Sequence, residues 1–215
     1  MKQINYYVRT TLDRKLDNSY NQIDYILLVD KEYKPLKSFI EQLKIISNTD
    51  SVLLEDDLIL CKDFKKEIEE VINKYPNDII NFFSFPNDYF KTKRSYIFSS
   101  NQCTYYPKGL SLIVANEIEK ISKTTECIQY DVLECKALRN LGLSHIIYRP
   151  CLVQHIDGER IIKSIRHWKH RTPYFIDDLK ELGIDYEDKR IKFERGKMKW
   201  KKWEMKSNIK EINII

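Results

Sequence analysis

Short apolar runs alternate with longer amphipathic segments along most of the chain. The runs are rich in Ile, Leu, Val, Tyr and Phe, a composition that favours β-strands. The run IINFFSF at residues 79–85 is almost wholly apolar, which predicts a strand buried on both faces. Strands are predicted at residues 4–9, 24–30, 51–54, 79–85 and 145–148.

The segments between these runs have the spacing of α-helices. In residues 36–46 and 64–75, apolar side chains recur every three or four positions and so lie on one helical face. Helices are predicted at residues 12–22, 36–46, 64–75, 108–121 and 130–141, with a loop at 86–101. Strands that alternate with helices of this size predict an α/β fold, in which helices cover both faces of a mainly parallel central sheet.

Three adjacent carboxylates, Glu55, Asp56 and Asp57, follow the third predicted strand. Ligands of open α/β sheets bind outside the carboxyl ends of the strands. Adjacent carboxylates that lose hydration repel one another, so they need cationic partners. Mg²⁺ or Mn²⁺ fits this need, because such hard ions take one or two protein carboxylates and fill their other positions with water and substrate phosphates. A solvated acidic turn is the alternative.

Length and composition agree with one globular domain. The chain has 215 residues, of which 42% are hydrophobic and 32% charged, enough for a sizeable core with a polar exterior. No apolar run reaches the ~18–20 residues that a membrane-spanning helix needs. The opening residues MKQIN lead into a strand rather than a signal-peptide core. We therefore expect a cytoplasmic protein without a transmembrane segment.

The cysteines are odd in number and scattered. None of them forms a C-x-x-C pair, so neither a disulfide framework nor a zinc knuckle is indicated, and we expect reduced packing residues. They are Cys61, Cys103, Cys127, Cys135 and Cys151.

Positive charge is concentrated near the C-terminus. Residues 151–215 hold 16 of the 37 Lys and Arg residues but only 11 of the 32 Asp and Glu residues, so the whole excess of +5 lies there. Within this region, residues 188–206 combine nine basic residues with three aromatic ones, which suits phosphates or a polyanionic surface. A solvated helix docked on the core is the alternative. Residues 160–171 are also basic and fit either a lid over a diphosphate or a surface-bound amphipathic helix.

Two stretches resemble a known family. LLEDDLILCKDF, residues 53–64, resembles the metal-binding element of GT-A-fold glycosyltransferases, in which a Phe, here Phe64, follows the acidic triplet and packs the next helix. RPCLVQH, residues 149–155, is similar to the P-S-L-V-Q-H segment after the last core strand of several such enzymes, with Cys151 in place of the usual Ser. The resemblance covers residues 24–155 and extends to small phage-encoded and bacterial envelope-type enzymes.

The resemblance implies a fold and a domain division. The core would be a single Rossmann-like GT-A domain at residues 1–157, which binds the nucleotide sugar and the metal. Residues 158–215 would form a basic helical C-terminal extension that acts as a lid or contacts the acceptor or a polyanion.

The resemblance also implies roles for the motif residues. Asp57 would be the direct ligand of Mn²⁺ or Mg²⁺. Glu55 and Asp56 would contact the nucleotide ribose or hold metal-bound water. His155 matches the position of a second metal ligand or of a donor to the diphosphate, although a histidine in such a segment is also commonly structural.

A transferase of this kind needs a carboxylate on the acceptor side. An acceptor hydroxyl that attacks the sugar directly, with inversion, must lose its proton to a general base. Asp131 lies in an acidic segment between the two motifs, as the base of inverting GT-A enzymes does, and is our candidate. An Asp at a helix start can equally be a cap. Glu134, one turn further on the same helical face, is the fallback.

Four further residues are implied as contacts to the donor nucleotide. Arg9, Thr11 and Arg14 follow the first strand, where GT-A enzymes bind the base and ribose, and Asp30 ends the second strand. A polar loop after a strand is the ordinary alternative for each. Residues 99–106 correspond to the region that lines the sugar and acceptor in the family.

The predicted function is metal-dependent transfer of a hexosyl or related group from a nucleotide sugar, expected to be a UDP-sugar, to an acceptor hydroxyl. The acceptor is either a glycan or envelope component, or a hydroxymethylated base in phage DNA. The basic C-terminal region would contact DNA or an anionic membrane surface. The alternative is a nucleic-acid-binding or metal-dependent nucleic-acid-processing protein, although no Glu-x-Lys element of a restriction-type nuclease lies near the triplet. A catalytically inactive interaction protein is the third hypothesis, and the intact triplet argues against it.

Overall fold

The computed structural model describes residues 2–84, 92–95, 101–156, 172, 174–181, 183, 191–192 and 213–214. The basic segment at 160–171, and all of 188–206 except residues 191–192, lie outside the described residues, as does most of the predicted C-terminal extension. Within the described part of the chain, no helix combines the length and the apolar character needed to cross a membrane.

Strands and helices alternate, and the predicted elements at residues 36–46, 64–75, 108–121 and 130–141 are confirmed as helices. The strands are β1 Ile4–Thr10, β2 Tyr25–Val29, β3 Asp50–Glu55, β4 Leu58–Leu60, β5 Ile79–Asn81, β6 Lys93–Ser95, β7 Cys103–Tyr106, β8 His145–Ile147, β9 Val153–His155, β10 Ile191–Lys192 and β11 Asn213–Ile214. The α-helices are α1 Pro35–Ile45, α2 Phe64–Lys74, α3 Leu110–Ser122, α4 Tyr130–Asn140 and α5 Ile176–Glu181.

Seven of these strands form the central sheet, in the order β2-β1-β3-β7-β5-β8-β6. Strands β2, β1, β3, β5 and β8 run in one direction, and only β7 and β6 run against them. The sheet of this α/β fold is therefore mostly parallel, and the carboxyl ends of five strands meet at one edge. Strands β4 and β9 pair separately, antiparallel.

The helix expected at residues 12–22 is wrong. Leu12 has a positive φ of 67°, which is incompatible with a right-handed helix. The side chain of Asp17 accepts a hydrogen bond from the backbone N–H of Ser19 and begins a short 3-10 helix, Asn18–Gln22. Asp, Ser and Asn side chains compete with helical hydrogen bonds in this way, so the connection from β1 to β2 remains largely irregular.

The sequence pattern also missed several short strands. β6 lies inside the expected loop at 86–101, and β4 and β9 lie inside the two motif segments. Each has only three residues and pairs with a strand far away in the chain, so neither periodicity nor a nearby turn signals it.

Two hydrophobic layers enclose the central sheet, because the side chains of each strand alternate between its faces. On one face, Tyr6 and Val8 of β1 pack with α2. On the other, Tyr7 of β1 and Leu53 of β3 pack with α1, α3 and α4. The side chains at the ends of β1 and β3 follow the same alternation, so each of them lies on one identifiable face of the sheet.

The region of α5 is hydrogen-bonded to the core, although the domain division predicted from the sequence places it in the C-terminal extension. The backbone N–H of Cys151 donates to the carbonyl of Tyr174 at 2.7 Å, and that of Ile176 donates to the carbonyl of Cys151 at 3.0 Å. Tyr174, Ile176 and Leu179 are buried. This part of the extension thus packs directly behind the RPCLVQH segment.

The start of α2 connects the triplet's turn to the core. Asp63 precedes the helix with its backbone in the left-handed region, and its side chain does not cap the helix. Instead, the side chain of Gln22 accepts a hydrogen bond from the backbone N–H of Phe64 at 3.1 Å. The Phe64 ring is fully buried and lies 6.4 Å from the ring of Tyr6 on β1. Phe64 is therefore a packing residue, as the motif predicted.

Phe64→Ala should lower the free energy of unfolding by about 3–5 kcal/mol, because it removes a buried ring and leaves a cavity beneath β1. Urea denaturation measures this change. Leu112→Ala, at a residue of α3 with 40% of its surface exposed, is the control and should change stability by less than about 1 kcal/mol. Equal effects of the two substitutions would show that Phe64 is not part of the core.

Candidate functional site

The candidate site lies at the carboxyl edge of the sheet, between β1 and β3. From β1 the chain passes to β2 on one side and afterwards to β3 on the other, so the strand order reverses at this point. Such a switch point leaves a crevice outside the strand ends, where α/β proteins bind ligands. Arg9, near the end of β1, is directly paired with Glu55 at the end of β3.

Arg9, Glu55 and Tyr130 form one hydrogen-bonded cluster on this edge. Arg9 Nη2 donates to Glu55 Oε1 at 3.1 Å and to the Tyr130 hydroxyl at 3.0 Å, and the same hydroxyl donates to Glu55 Oε1 at 2.9 Å. The guanidinium also lies 5.1 Å from the centre of the Phe39 ring and 4.7 Å from that of Tyr130. These aromatic contacts hold a charged group on the apolar face of the sheet.

Burial controls the protonation of this cluster. Burial raises the pKa of Glu55, although the positive charge of Arg9 opposes the rise. Burial and the neighbouring Glu55 carboxylate raise the pKa of Tyr130, while Arg9 opposes this too. The phenol therefore stays protonated near neutral pH and can donate to the carboxylate.

The other two carboxylates lie in the turn between β3 and β4. Asp57 forms an ion pair with Arg14, and Arg14 Nη1 lies 3.6 Å from Asp56 Oδ1. On its other side, Asp57 Oδ2 lies 3.2 Å from His155 Nε2. One carboxylate thus has two basic neighbours, each from a different part of the chain.

Pairing of β4 with β9 brings His155 to the triplet. Leu58 is the register partner of His155, and the backbone N–H of Ile156 donates to the carbonyl of Asp57 at 2.8 Å. The two sequence segments that resemble GT-A enzymes are therefore joined by backbone hydrogen bonds. Sequence reasoning proposed both segments but could not predict this ladder.

Asp57 and His155 shift each other's protonation. Burial alone would raise the pKa of Asp57, but the hydrogen bond and charge of His155, together with Arg14, leave that pKa below its ordinary value. Burial lowers the pKa of His155, but Asp57 and Glu55 outweigh it and leave the pKa raised. Each group therefore favours the charged form of the other.

The residues present fit a hard divalent cation only in part. Asp56 Oδ2 and Asp57 Oδ1 are buried and have no hydrogen-bond partner among the described residues, so these acceptor oxygens are unsatisfied. In the described ranges, however, no group of three or more His, Cys, Asp and Glu side chains is arranged to hold a metal ion. A Mg²⁺- or Mn²⁺-type ion that keeps water and substrate oxygens as its other ligands needs only one or two of these carboxylates.

Two backbone contacts fix the end of β3. The Tyr20 hydroxyl, from the short 3-10 helix, donates to the carbonyl of Glu55, and the backbone N–H of Glu55 donates to the carbonyl of Gln102 at 2.9 Å. The Ser19 hydroxyl also accepts from the backbone N–H of Leu60 at 2.9 Å. Contacts from the connection between β1 and β2 therefore hold the chain on both sides of the triplet.

Glu134 lies in a separate, enclosed network behind the site. Its side chain is fully buried and accepts hydrogen bonds from the Tyr106 hydroxyl at 2.8 Å and from the amide of Asn101. Burial raises the pKa of Glu134 to about 7, and these two hydrogen bonds oppose the rise. Asn101 Oδ1 has no partner in the described part of the chain, so a half-turn of that amide would let it accept the proton of a neutral Glu134.

The remaining predicted site residues lie around this edge without joining its ion pairs. Asp131 is half-buried in the first turn of α4, beside Tyr130, and its Oδ1 accepts from the backbone N–H of Val132 at 2.9 Å. Thr11 Oγ1 is buried and has no hydrogen-bond partner within the described ranges. Asp30 Oδ1 accepts from the backbone N–H groups of residues 32 and 34 and shapes the turn before α1.

Sequence reasoning missed the aromatic residues of the site. Tyr130 directly precedes the candidate base Asp131, and Tyr20 falls in the segment at residues 12–22 for which the sequence predicts a helix. An aromatic residue in a predicted helix is normally a packing residue, and only the contact of Tyr130 with Arg9 and Glu55 shows another role. No signal in the sequence distinguishes these two hydroxyls from those of the other tyrosines.

Comparison with known proteins adds little to this geometry. No protein-family model matches the chain, and no curated protein matches it. A solved structure described as the crystal structure of A197 from STIV is similar with a TM-score of 0.44 and 8% sequence identity, over 77% of this chain and 100% of that one. Similarity this low carries no information about activity.

Glu134→Gln should weaken the pH dependence of stability. The folded protein holds the Glu134 proton more tightly than the unfolded chain, so the stabilisation is fully present below the unfolded pKa and is lost as pH rises through about 7. At roughly 1.4 kcal/mol per pKa unit, the wild type should lose on the order of 3 kcal/mol more than the variant over this range. Urea denaturation at a series of pH values measures the difference.

Glu41→Gln, at an exposed residue of α1, is the matched control for the loss of one carboxyl group. Its pH profile should run parallel to that of the wild type. A Glu134→Gln profile that also runs parallel to the wild type would contradict the raised pKa.

Proposed function

We propose that this chain is a glycosyltransferase that uses a divalent cation and a nucleotide-sugar donor. The observation that carries the proposal is the 3.2 Å contact between Asp57 Oδ2 and His155 Nε2. It joins the acidic triplet and the RPCLVQH segment, the two parts of the sequence that resemble GT-A enzymes. Both lie at a switch point of a mostly parallel sheet, where a nucleotide is commonly bound.

The cofactor in this proposal is Mn²⁺ or Mg²⁺. Asp57 would be its direct ligand, and His155 would be a second ligand or a donor to the diphosphate. The two buried carboxylate oxygens without hydrogen-bond partners among the described residues, Asp56 Oδ2 and Asp57 Oδ1, support a hard cation here. When bound, the ion would stabilise the negative charge that develops on the leaving diphosphate.

The donor nucleotide, expected to be UDP, would lie across the ends of β1, β2 and β3. Glu55 and Asp56 would contact the ribose or metal-bound water. Arg9 Nη1 and Thr11 Oγ1 are buried and have no hydrogen-bond partner in the described ranges, which supports them as polar contacts to the nucleotide. Asp30 would contribute through the turn that it shapes before α1.

Asp131 would act as the general base toward the acceptor. Its side chain is half-buried beside Tyr130, so a hydroxyl can reach it from solvent. Glu134 is fully buried and already accepts two hydrogen bonds, which favours a role in holding Asn101 and Tyr106 rather than direct proton transfer. Direct attack with Asp131 as the base would invert the configuration at the sugar carbon.

The acceptor remains either a glycan or envelope component, or a hydroxymethylated base in DNA. The basic segments that would contact DNA or an anionic membrane lie almost wholly outside the described residues. The alternative function, nucleic-acid binding or processing, depends on the same segments, and no contact among the described residues favours it.

A thermal-shift screen of nucleotide sugars, with and without Mn²⁺, tests the class of enzyme. One nucleotide should raise the melting temperature of the wild type only when Mn²⁺ is present, because the ion and the diphosphate bind together. Asp57→Asn should abolish that shift and sugar transfer alike. Glu41→Gln should keep both. A metal-independent shift, or normal transfer by Asp57→Asn in the presence of a chelator, would reject metal dependence.

Asp131→Asn should leave the nucleotide shift intact and lower the transfer rate by about 10²–10⁴-fold, the usual contribution of a general base. Single-turnover assays with the donor identified by the screen measure this rate. If the substitution instead mainly lowers the melting temperature and leaves transfer unchanged, Asp131 is a helix-capping residue.

A further inference from the structure

Arg14 occupies the position between the two carboxylates of the β3–β4 turn. It forms an ion pair with Asp57 and lies 3.6 Å from Asp56 Oδ1. The side chains of Asp56 and Asp57 are only 8% and 13% exposed, whereas that of Arg14 is 24% exposed. Arg14 is therefore the more accessible partner of two largely buried anions.

The third carboxylate of the triplet has its own cation. Arg9 binds Glu55 and is enclosed by the Phe39 and Tyr130 rings. Asp56 and Asp57 lie beside Arg14, and His155 contacts Asp57 from the other side. Asp56 Oδ2 is buried and has no hydrogen-bond partner within the described ranges, so this turn still presents an unfilled acceptor.

A guanidinium group that contacts Asp57 Oδ2 and a divalent cation that binds the same carboxylate would lie too close together to be bound at once. Both are positive, and like charges a few ångströms apart in a poorly hydrated site repel strongly. Without any cation, two adjacent buried carboxylates would repel each other and lose hydration uncompensated. Arg14 therefore neutralises the charge of Asp56 and Asp57, as a bound metal ion would.

The backbone around Arg14 is not held in a helix or in a strand ladder. Residues 11–17 form neither helix nor strand and lie between the end of β1 and the short 3-10 helix. Leu12, in this segment, is 61% exposed and has a positive φ. Arg9, in contrast, is part of β1 itself. A displaced Arg14 would remain beside the switch point, where its planar fork suits phosphate oxygens.

We propose that Arg14 is an exchangeable internal cation: it holds Asp56 and Asp57 together in the metal-free protein, leaves Asp57 when a divalent cation binds, and then contacts the nucleotide diphosphate. This inference rests on the proposed function and deepens it, because it makes one residue a competitor of the metal and a partner of the nucleotide. It explains how an acidic turn can be buried before any ligand arrives.

Arg14→Gln should consequently have two effects of opposite sign. Mn²⁺ should bind the nucleotide-free variant at least about fivefold more tightly than the wild type, since no guanidinium has to be displaced. UDP should bind the Mn²⁺-loaded variant at least about fivefold more weakly, since a diphosphate contact is lost. A residue that only stabilises the fold would not strengthen metal binding when removed.

Isothermal titration of the full-length chain with MnCl₂, and then of the Mn²⁺-loaded protein with UDP, measures both effects. Lys15→Gln is the matched control, because it removes one positive charge from the exposed neighbouring residue and should change neither affinity. Arg14→Lys covers the case in which Arg14→Gln does not fold. It keeps the charge but loses the planar fork, so UDP should still bind its Mn²⁺-loaded form more weakly than the wild type.

The outcomes separate the two proposals. If the wild type binds Mn²⁺ and UDP but Arg14→Gln binds Mn²⁺ equally or more weakly, the exchange of Arg14 is rejected while the proposed function stands. If Arg14→Lys is the only folded variant and binds UDP like the wild type, the exchange is likewise rejected. If the wild type and the Arg14 variants all fail to bind Mn²⁺, with or without UDP, the metal-dependent function itself is rejected.

Discussion

Burial of three consecutive carboxylates at the end of one strand is the constraint on which the rest of the site depends. Glu55, Asp56 and Asp57 are all largely withdrawn from water, and uncompensated burial of even one of them would be costly. The surrounding structure compensates with bases from separate elements, namely Arg9 on β1, Arg14 in the connection that follows it, and His155 on β9. The position of each of these elements is therefore tied to the charge of a single turn.

The three bases are held with different rigidity. Arg9 belongs to a central strand, and its guanidinium lies against two aromatic rings, so its pairing with Glu55 is part of the permanent framework. His155 is fixed by the ladder between β4 and β9. Arg14 extends from irregular chain and is the most exposed of the three. One charged cluster therefore combines bases held by strands with a base held by irregular backbone.

The sequence predicts the local elements of this arrangement but not the contacts between residues that are distant in the chain. The short apolar runs of β1 and β3 are visible in the chain, and they are enough to predict that the triplet follows a buried strand at the carboxyl edge of the sheet. The antiparallel insertion of β7, the pairing of Leu58 with His155, and the bonds of Tyr130 to Arg9 and Glu55 all join residues that are distant in the chain. Short strands and single hydroxyl groups have no periodicity of their own, so only the assembled sheet reveals them.

The ladder between β4 and β9 has a consequence for how the protein is made. During synthesis the acidic turn leaves the ribosome well before β9, and closing so long a loop is a slow, late event. Until then Asp57 lacks His155, and its ion pair with Arg14 is the contact formed by a residue that precedes it. Completion of the charged cluster thus requires synthesis of the chain through β9. An incomplete chain that ends before β9 would therefore have an acidic turn without its histidine partner.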